Sequence, residues 1–409
     1  MKRRAFLTAG LLALMSSPAL AAPPKTGKKA APKKASGKAT NKGKKKPGAS
    51  PARVQTSAEN PVIDAAPEGT SASRLPPVKA PTLPSEWRRF SITLTAQIEP
   101  SPNPQRLWLP LPASQDGLHQ RDQKLAWQGN FTQGSILRLP DGELEAFSCE
   151  WSPGVAPHLE LTTTLETADR QFDVSRRTQP PERDDILRRN LLATAQLPNN
   201  GEAHALALRI VGRVIDPAAQ ARALFEWVVD NSQYDPDLPA CGKGDVYAQI
   251  ASEQYGGRSA DINGLFVALC RALGIPARRV FGLRIAPSRL APCLGIEHDA
   301  TCAPHCRAEC YLPGYGWIPA DPSDACRALR LETLSPENSR ALRKILFGFW
   351  EMNWLVYNRA ESPALPDFPT LPFFIAPQLE REGASIEGAD VDGFRYRIES
   401  RSLSGKANE

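Results

Sequence analysis

The sequence contains no glycine-rich phosphate loop, no dinucleotide fingerprint and no nucleic-acid-binding motif. Nucleotide chemistry and nucleic-acid recognition therefore have no local support. No internal repeat is present, so a solenoid is not expected. Large apolar residues are nearly absent from residues 22–86, and no acid interrupts the ten lysines between Lys25 and Lys46. The early apolar run from Ala5 to Met15 is too short to cross a bilayer as a helix, so no transmembrane anchor is expected from it. No cysteine stands at the junction after Ala19-Leu20-Ala21, which argues against a lipid anchor.

What is present at the start is a targeting pattern. Met1-Lys2-Arg3-Arg4 is a basic opening, the apolar run follows, and Ala19-Leu20-Ala21 offers the small-x-small step that a signal peptidase cleaves. Residues 1–21 read as a signal peptide, and the expected location is periplasmic or extracellular. Arg3-Arg4-Ala5-Phe6-Leu7 also fits a twin-arginine signal, so both export routes stay open. Residues 22–86 have too little to bury to offset their ordering entropy and read as a disordered spacer. The chain carries +6 overall. With the +3 of the opening and the +10 of the lysine stretch removed, the remainder carries −7. The basic character therefore belongs to the tail. The tail can act as a plain spacer or touch an anionic cell-envelope polymer. It lacks interleaved aromatics, so nucleic acid is not expected as a partner.

From residue 87 the pattern is that of globular domains. Phe90, Ile92, Leu94 and Ala96 alternate with polar neighbours, the period of a half-buried strand. Leu107-Trp108-Leu109, Ile136-Leu137 and the segment from Leu159 to Thr162 continue it, so residues 87–178 read as a β-sandwich. Asp216-Pro217 reads as a helix cap and first turn. Ile262, Leu265, Phe266, Leu269, Cys270 and Leu273 form one apolar stripe at helical spacing. That helix begins near Ser259 and stops at Gly274 and Pro276. Val280–Ile285 reads as a strand, and 305–320 as a hairpin turning at Pro313–Gly316. Residues 179–330 make a core domain, and 331–409 an extension packing on it.

Ser259 opens the helix, His305 opens one hairpin strand, and Asp321 closes the other. A nucleophile at a helix N-terminus sits in the positive end of the helix dipole. A histidine beside it can take its proton, and a carboxylate fixes the histidine's tautomer. Ser259 also has a bland explanation, because serine is a preferred helix cap.

Gly257-Arg258-Ser259-Ala260-Asp261-Ile262-Asn263-Gly264-Leu265-Phe266, followed by Arg271-Ala272-Leu273-Gly274-Ile275-Pro276-Ala277-Arg278, resembles the core of the bacterial transglutaminase-like proteins. These are relatives of papain-type cysteine proteases. His305-Cys306-Arg307-Ala308-Glu309 and Gly314 through Pro322 resemble the family's histidine and aspartate segments. Cys241-Gly242-Lys243-Gly244-Asp245 and Trp350-Glu351-Met352-Asn353-Trp354 resemble one exported branch. The resemblance covers roughly residues 87–400. It implies an α+β fold, with a β-sandwich followed by a papain-like α/β domain whose helix packs on an antiparallel sheet. It also implies a catalytic triad at Ser259, His305 and Asp321, with no cofactor and no metal.

The family places a catalytic cysteine where this chain has Ser259. Three readings follow. In the first, the cleft is a non-catalytic or weakly active binding site for peptide or cell-wall amides. It can work as a Ser–His–Asp amidase or peptidase. Or another thiol, Cys241 or Cys306, performs the chemistry. Cys306 neighbours His305 on a strand and points to the other face, so Cys241 is the better thiol. Zinc held by Cys302, Cys306 and Cys310 is not expected, because strand spacing sets Cys306 and Cys310 about 13 Å apart. Disulfides among Cys293, Cys302, Cys306, Cys310 and Cys326 are expected, with pairing unreadable. A plain two-residue turn at Gly314-Tyr315 would put His305 and Asp321 on opposite faces. An odd-length connection or a bulge at Pro313–Gly316 is therefore expected.

Overall fold

The alternating Phe90, Ile92, Leu94 and Ala96 form the buried face of strand β1 (Arg88–Ile98). The computed structural model describes residues 86–403 apart from 115, 117, 118, 140–142 and 173–178. The signal, twin-arginine and spacer readings for residues 1–85 lie outside the described residues. β2 (Gln105–Leu111), β3 (Gln120–Gly129), β4 (Gln133–Leu139), β5 (Leu144–Trp151) and β6 (His158–Thr167) follow, with a short β7 (Arg170–Gln171).

The middle of the chain is mostly helical. It runs through α1 (Asp184–Arg189), α2 (Glu202–Val211), α3 (Pro217–Asn231), β8 (Gln233–Tyr234), α4 (Val246–Ser252) and β9 (Gly256–Gly257). Asp216 caps α3, its carboxylate accepting the Ala219 N–H at 2.8 Å, with Pro217 in the first turn. Then comes α5 (Ser259–Ala272), all of whose residues are buried. Each large apolar side chain on it contributes about 1.5–3 kcal/mol by leaving water. Gly274, at φ +77°, ends it in the left-handed region that glycine tolerates.

α5 packs on the antiparallel sheet built from β10 (Ala277–Arg284), β11 (Pro304–Leu312) and β12 (Gly316–Ala320). Helices α6 (Pro322–Leu331) and α7 (Pro336–Leu346) lead to β13 (Phe349–Trp350) and β14 (Trp354–Asn358). β14 completes the sheet in the order β12-β11-β10-β14. In the hairpin, Leu312 pairs with Gly316 and Ala308 with Ala320, so three residues make the turn. This odd-length connection brings His305 and Asp321 to one face, as the triad requires.

The C-terminal segment does more than pack on the core. β15 (Gln378–Arg381), β16 (Ala384–Ile386), β17 (Asp390–Val391) and β18 (Phe394–Ser402) enter the sandwich. Its two sheets run β17-β18-β1-β6-β3 and β16-β15-β2-β5-β4. β18 lies antiparallel to β1 from Phe90↔Ser402 to Ile98↔Phe394. Among the described residues no helix is long and apolar enough to cross a membrane.

Candidate active site

Gly256 and Gly257, at φ +142° and +119°, carry the chain into α5 through backbone regions that favour glycine. Arg258 is the N-cap residue and Ser259 the first residue of the helix. The Ser259 hydroxyl does not cap. It reaches across to β11 and accepts the Cys306 backbone N–H at 3.0 Å. Asp261 serves the helix start instead, accepting the Arg258 N–H at 2.8 Å.

His305 Nε2 lies 2.8 Å from Asp321 Oδ2. The carboxylate accepts, so Nε2 carries the hydrogen and Nδ1 is left as the basic nitrogen. Asp321 is fixed from three sides. Its Oδ1 accepts from Asn263 Nδ2 and from the Asp324 N–H, both at 3.0 Å, and Arg307 Nε stands 3.4 Å from Oδ2. Asn263 is fully buried and also donates to Cys306 O at 2.7 Å while accepting the Ser323 N–H at 3.0 Å. One amide thus ties α5, β11 and the start of α6 together. The Trp354 indole donates to His305 O at 3.0 Å. A side chain at Gly282, which pairs with His305, would strike that indole.

The electrostatics favour a neutral histidine. Burial lowers the His305 pKa most, and the Arg284 guanidinium lowers it further; Asp324 and Asp321 pull the other way. Arg284 is ion-paired with Asp324, whose carboxylate it holds well below the usual range against the opposing effect of burial. His305, Asp321 and Asp324 offer three ligand atoms within 4.8 Å of one another. Both carboxylates already face guanidiniums, Asp324 that of Arg284 and Asp321 that of Arg307, so this cluster is poorly suited to a cation.

The three residues singled out from the sequence therefore meet, with His305 bonded to Asp321 and both His305 and Ser259 lining one small cavity. Among the described residues no hydrogen bond joins Ser259 to His305. The alternative thiols are placed differently. Cys241 is fully buried in the same core cluster as Ala260 and Cys306, and its carbonyl accepts the Ala260 N–H at 2.8 Å. Burial pushes both the Cys241 and the Cys306 thiol up, far from easy ionisation. The expected disulfides are absent: all eight cysteines are free. Cys306 and Cys310 lie buried on β11, where they pack as small apolar groups. Asn263, Arg284, Asp324 and Trp354 were missed from sequence. Asn263 carried a signal, being a polar residue at the edge of the apolar helix stripe, three before Phe266 and seven before Cys270.

A model of the transglutaminase-like superfamily matches residues 204–322, a span that contains all three. An uncharacterized protein of Haemophilus influenzae is 30% identical over 321 residues, covering 73% of this chain and 86% of the relative. The solved structure of a candidate cysteine protease from Cytophaga hutchinsonii shares the fold, with a TM-score of 0.51 at 17% identity over 80% of this chain and 94% of the other. The periplasmic domain of TgpA from Pseudomonas aeruginosa, bound to ethylmercury, aligns at a TM-score of 0.31 and 21% identity over 59% of this chain and 93% of the other. The chain belongs to the transglutaminase-like superfamily.

Proposed function

We propose that the protein is an exported member of this superfamily that holds peptide or cell-wall amides in the cleft at Ser259, His305 and Asp321, and turns them over slowly or not at all. The observation that carries this reading is the hydrogen bond from the Cys306 N–H to Ser259 Oγ at 3.0 Å. The hydroxyl accepts from strand backbone, which leaves its own proton free, and among the described residues it makes no hydrogen bond to the base that would have to take that proton. A thiol in this place could ionise near neutral pH, helped by the helix N-terminus and an imidazole. An alcohol cannot, and depends on base-assisted attack at every turnover. Oxygen is also smaller than sulfur and sits closer to the helix, and an error of about 1 Å can cost about 10²-fold in rate.

The second reading is a working Ser–His–Asp hydrolase. The His305–Asp321 bond at 2.8 Å and the lowered histidine pKa supply the neutral, oriented base that such an enzyme needs. The third reading, with Cys241 as nucleophile, is disfavoured by its full burial. Export rests on the signal-like residues 1–21, and the lysine stretch serves as spacer or as a contact to anionic polymer.

The test is activity on peptide and wall-fragment amides for the wild-type protein, Ser259→Cys and His305→Ala/Ser259→Cys. The wild type should bind with at most trace hydrolysis. Ser259→Cys should gain about 10²-fold or more, and loss of His305 should remove the gain. Wild-type turnover equal to that of Ser259→Cys would sink the reading.

A further inference from the structure

The cavity over Ser259 and His305 holds only about 40 Å³, room for a group of roughly one or two waters' size. No Asp or Glu lines this cavity, while Arg258, Arg284 and Arg327 do. Arg284 is compensated by Asp324. The other two are held by neutral groups. Arg258 Nη1 donates to Pro236 O at 3.0 Å and Leu238 O at 2.7 Å. Arg327 Nε donates to Cys293 O at 2.7 Å, and its Nη1 to the Tyr234 hydroxyl. Among the described residues neither forms an ion pair. Their guanidinium carbons stand 5.6 and 5.2 Å from the Tyr234 ring, so one buried tyrosine is flanked by two cations. The N-terminus of α5 adds its own positive end. Two half-buried guanidiniums held only by neutral acceptors offer a positive surface that an anion can complete with charge-assisted hydrogen bonds.

We infer that Arg258 and Arg327 form a carboxylate subsite, so that the ligand of the cleft is a peptide presenting a free carboxylate next to the amide that faces Ser259. This rests on the cleft reading given under Proposed function and narrows its ligand class. Tyr234 also lines a second, open groove of about 480 Å³ bordered by Asp235, Asp237 and Arg330. The carboxylate end enters the cavity, and the rest of the peptide runs out over Tyr234 along this groove.

The experiment compares binding of one short peptide in two forms, with a free C-terminal carboxylate and with a C-terminal amide, to the full chain. The acid form should bind about tenfold more tightly, as expected for a charge-assisted contact. Arg258→Gln and Arg327→Gln should each erode the preference, and Arg327→Lys should retain part of it, which separates lost charge from lost fold. Equal binding of the two forms overturns the subsite while leaving the cleft reading intact. Binding of neither form counts against the cleft reading, and a second measurement then decides the subsite. The thiol of Ser259→Cys is alkylated with iodoacetate and with iodoacetamide, and the rate ratio is compared with that of glutathione. A ratio about tenfold above glutathione's, collapsing in Arg258→Gln/Arg327→Gln, supports the subsite. A ratio at or below glutathione's overturns it.

Discussion

Ser259 Oγ accepts the backbone N–H of Cys306 at 3.0 Å, although the catalytic-type histidine is the residue immediately before that amide. Accepting that N–H leaves the hydroxyl's own proton free, and among the described residues it makes no hydrogen bond to His305. His305 and Asp321 remain arranged as a base and its orienting carboxylate. On the proposed reading the site combines a histidine–carboxylate pair with a hydroxyl in place of the family's thiol.

The pair can be tested where a thiol reports on it. In Ser259→Cys, changing Asp321→Asn should slow thiol alkylation near neutral pH by about 10²-fold or more. An amide can donate to Nε2 and stabilise the wrong tautomer, as in carboxylate-to-amide changes of other triads. Asp321 also caps α6 through the Asp324 N–H. Thermal melts must therefore accompany the rates, and an unchanged alkylation rate in a folded variant would contradict the role given to Asp321.

Asn263→Ala should destabilise the protein by about 2–4 kcal/mol, because it leaves buried Ser323 N–H, Cys306 O and one Asp321 oxygen each short of a partner. Denaturant titration measures this. A loss below about 0.5 kcal/mol would show that the amide is not the tie between α5, β11 and α6.

Acid sensitivity should come in part from a second histidine. His119 is fully buried, bonds Trp354 O at 2.9 Å, and has its pKa lowered by burial to about 4. Its folded-state value lies below the unfolded value of about 6.5. Its contribution to stability is therefore fully present above about pH 6.5 and is lost as pH falls through about 4. The full window is worth on the order of 3 kcal/mol. Melting temperature measured from pH 7 to pH 4 should fall less steeply in His119→Gln than in the wild type. Parallel slopes would assign the acid loss to other groups.

Much of this architecture could be read from local pattern. The apolar stripe beginning at Ile262 gave α5 to within a residue at its end, and the turn chemistry of Pro313–Gly316 gave the hairpin. His305 and Asp321 share a face only across an odd-length turn, and the pairing of Leu312 with Gly316 makes one. The closure of the sandwich was not legible. Phe394, Tyr396 and Ile398 alternate as a strand should, but alternation cannot name β1 as its neighbour some three hundred residues earlier. The supports of the triad were hidden for the same reason, since Asn263, Arg284, Asp324 and Trp354 come from four separate elements. The cysteines misled by number: five in a short span suggested bridges, whereas β11 uses two of them as core side chains.

The most direct test of the central claim is labelling of the wild-type protein with a serine-directed fluorophosphonate. Such a probe needs a serine activated by its base. Labelling no stronger than that of Ser259→Ala is expected, in a protein whose fold is intact. Strong labelling that vanishes in Ser259→Ala and falls sharply in His305→Ala would contradict it and make the protein a serine hydrolase.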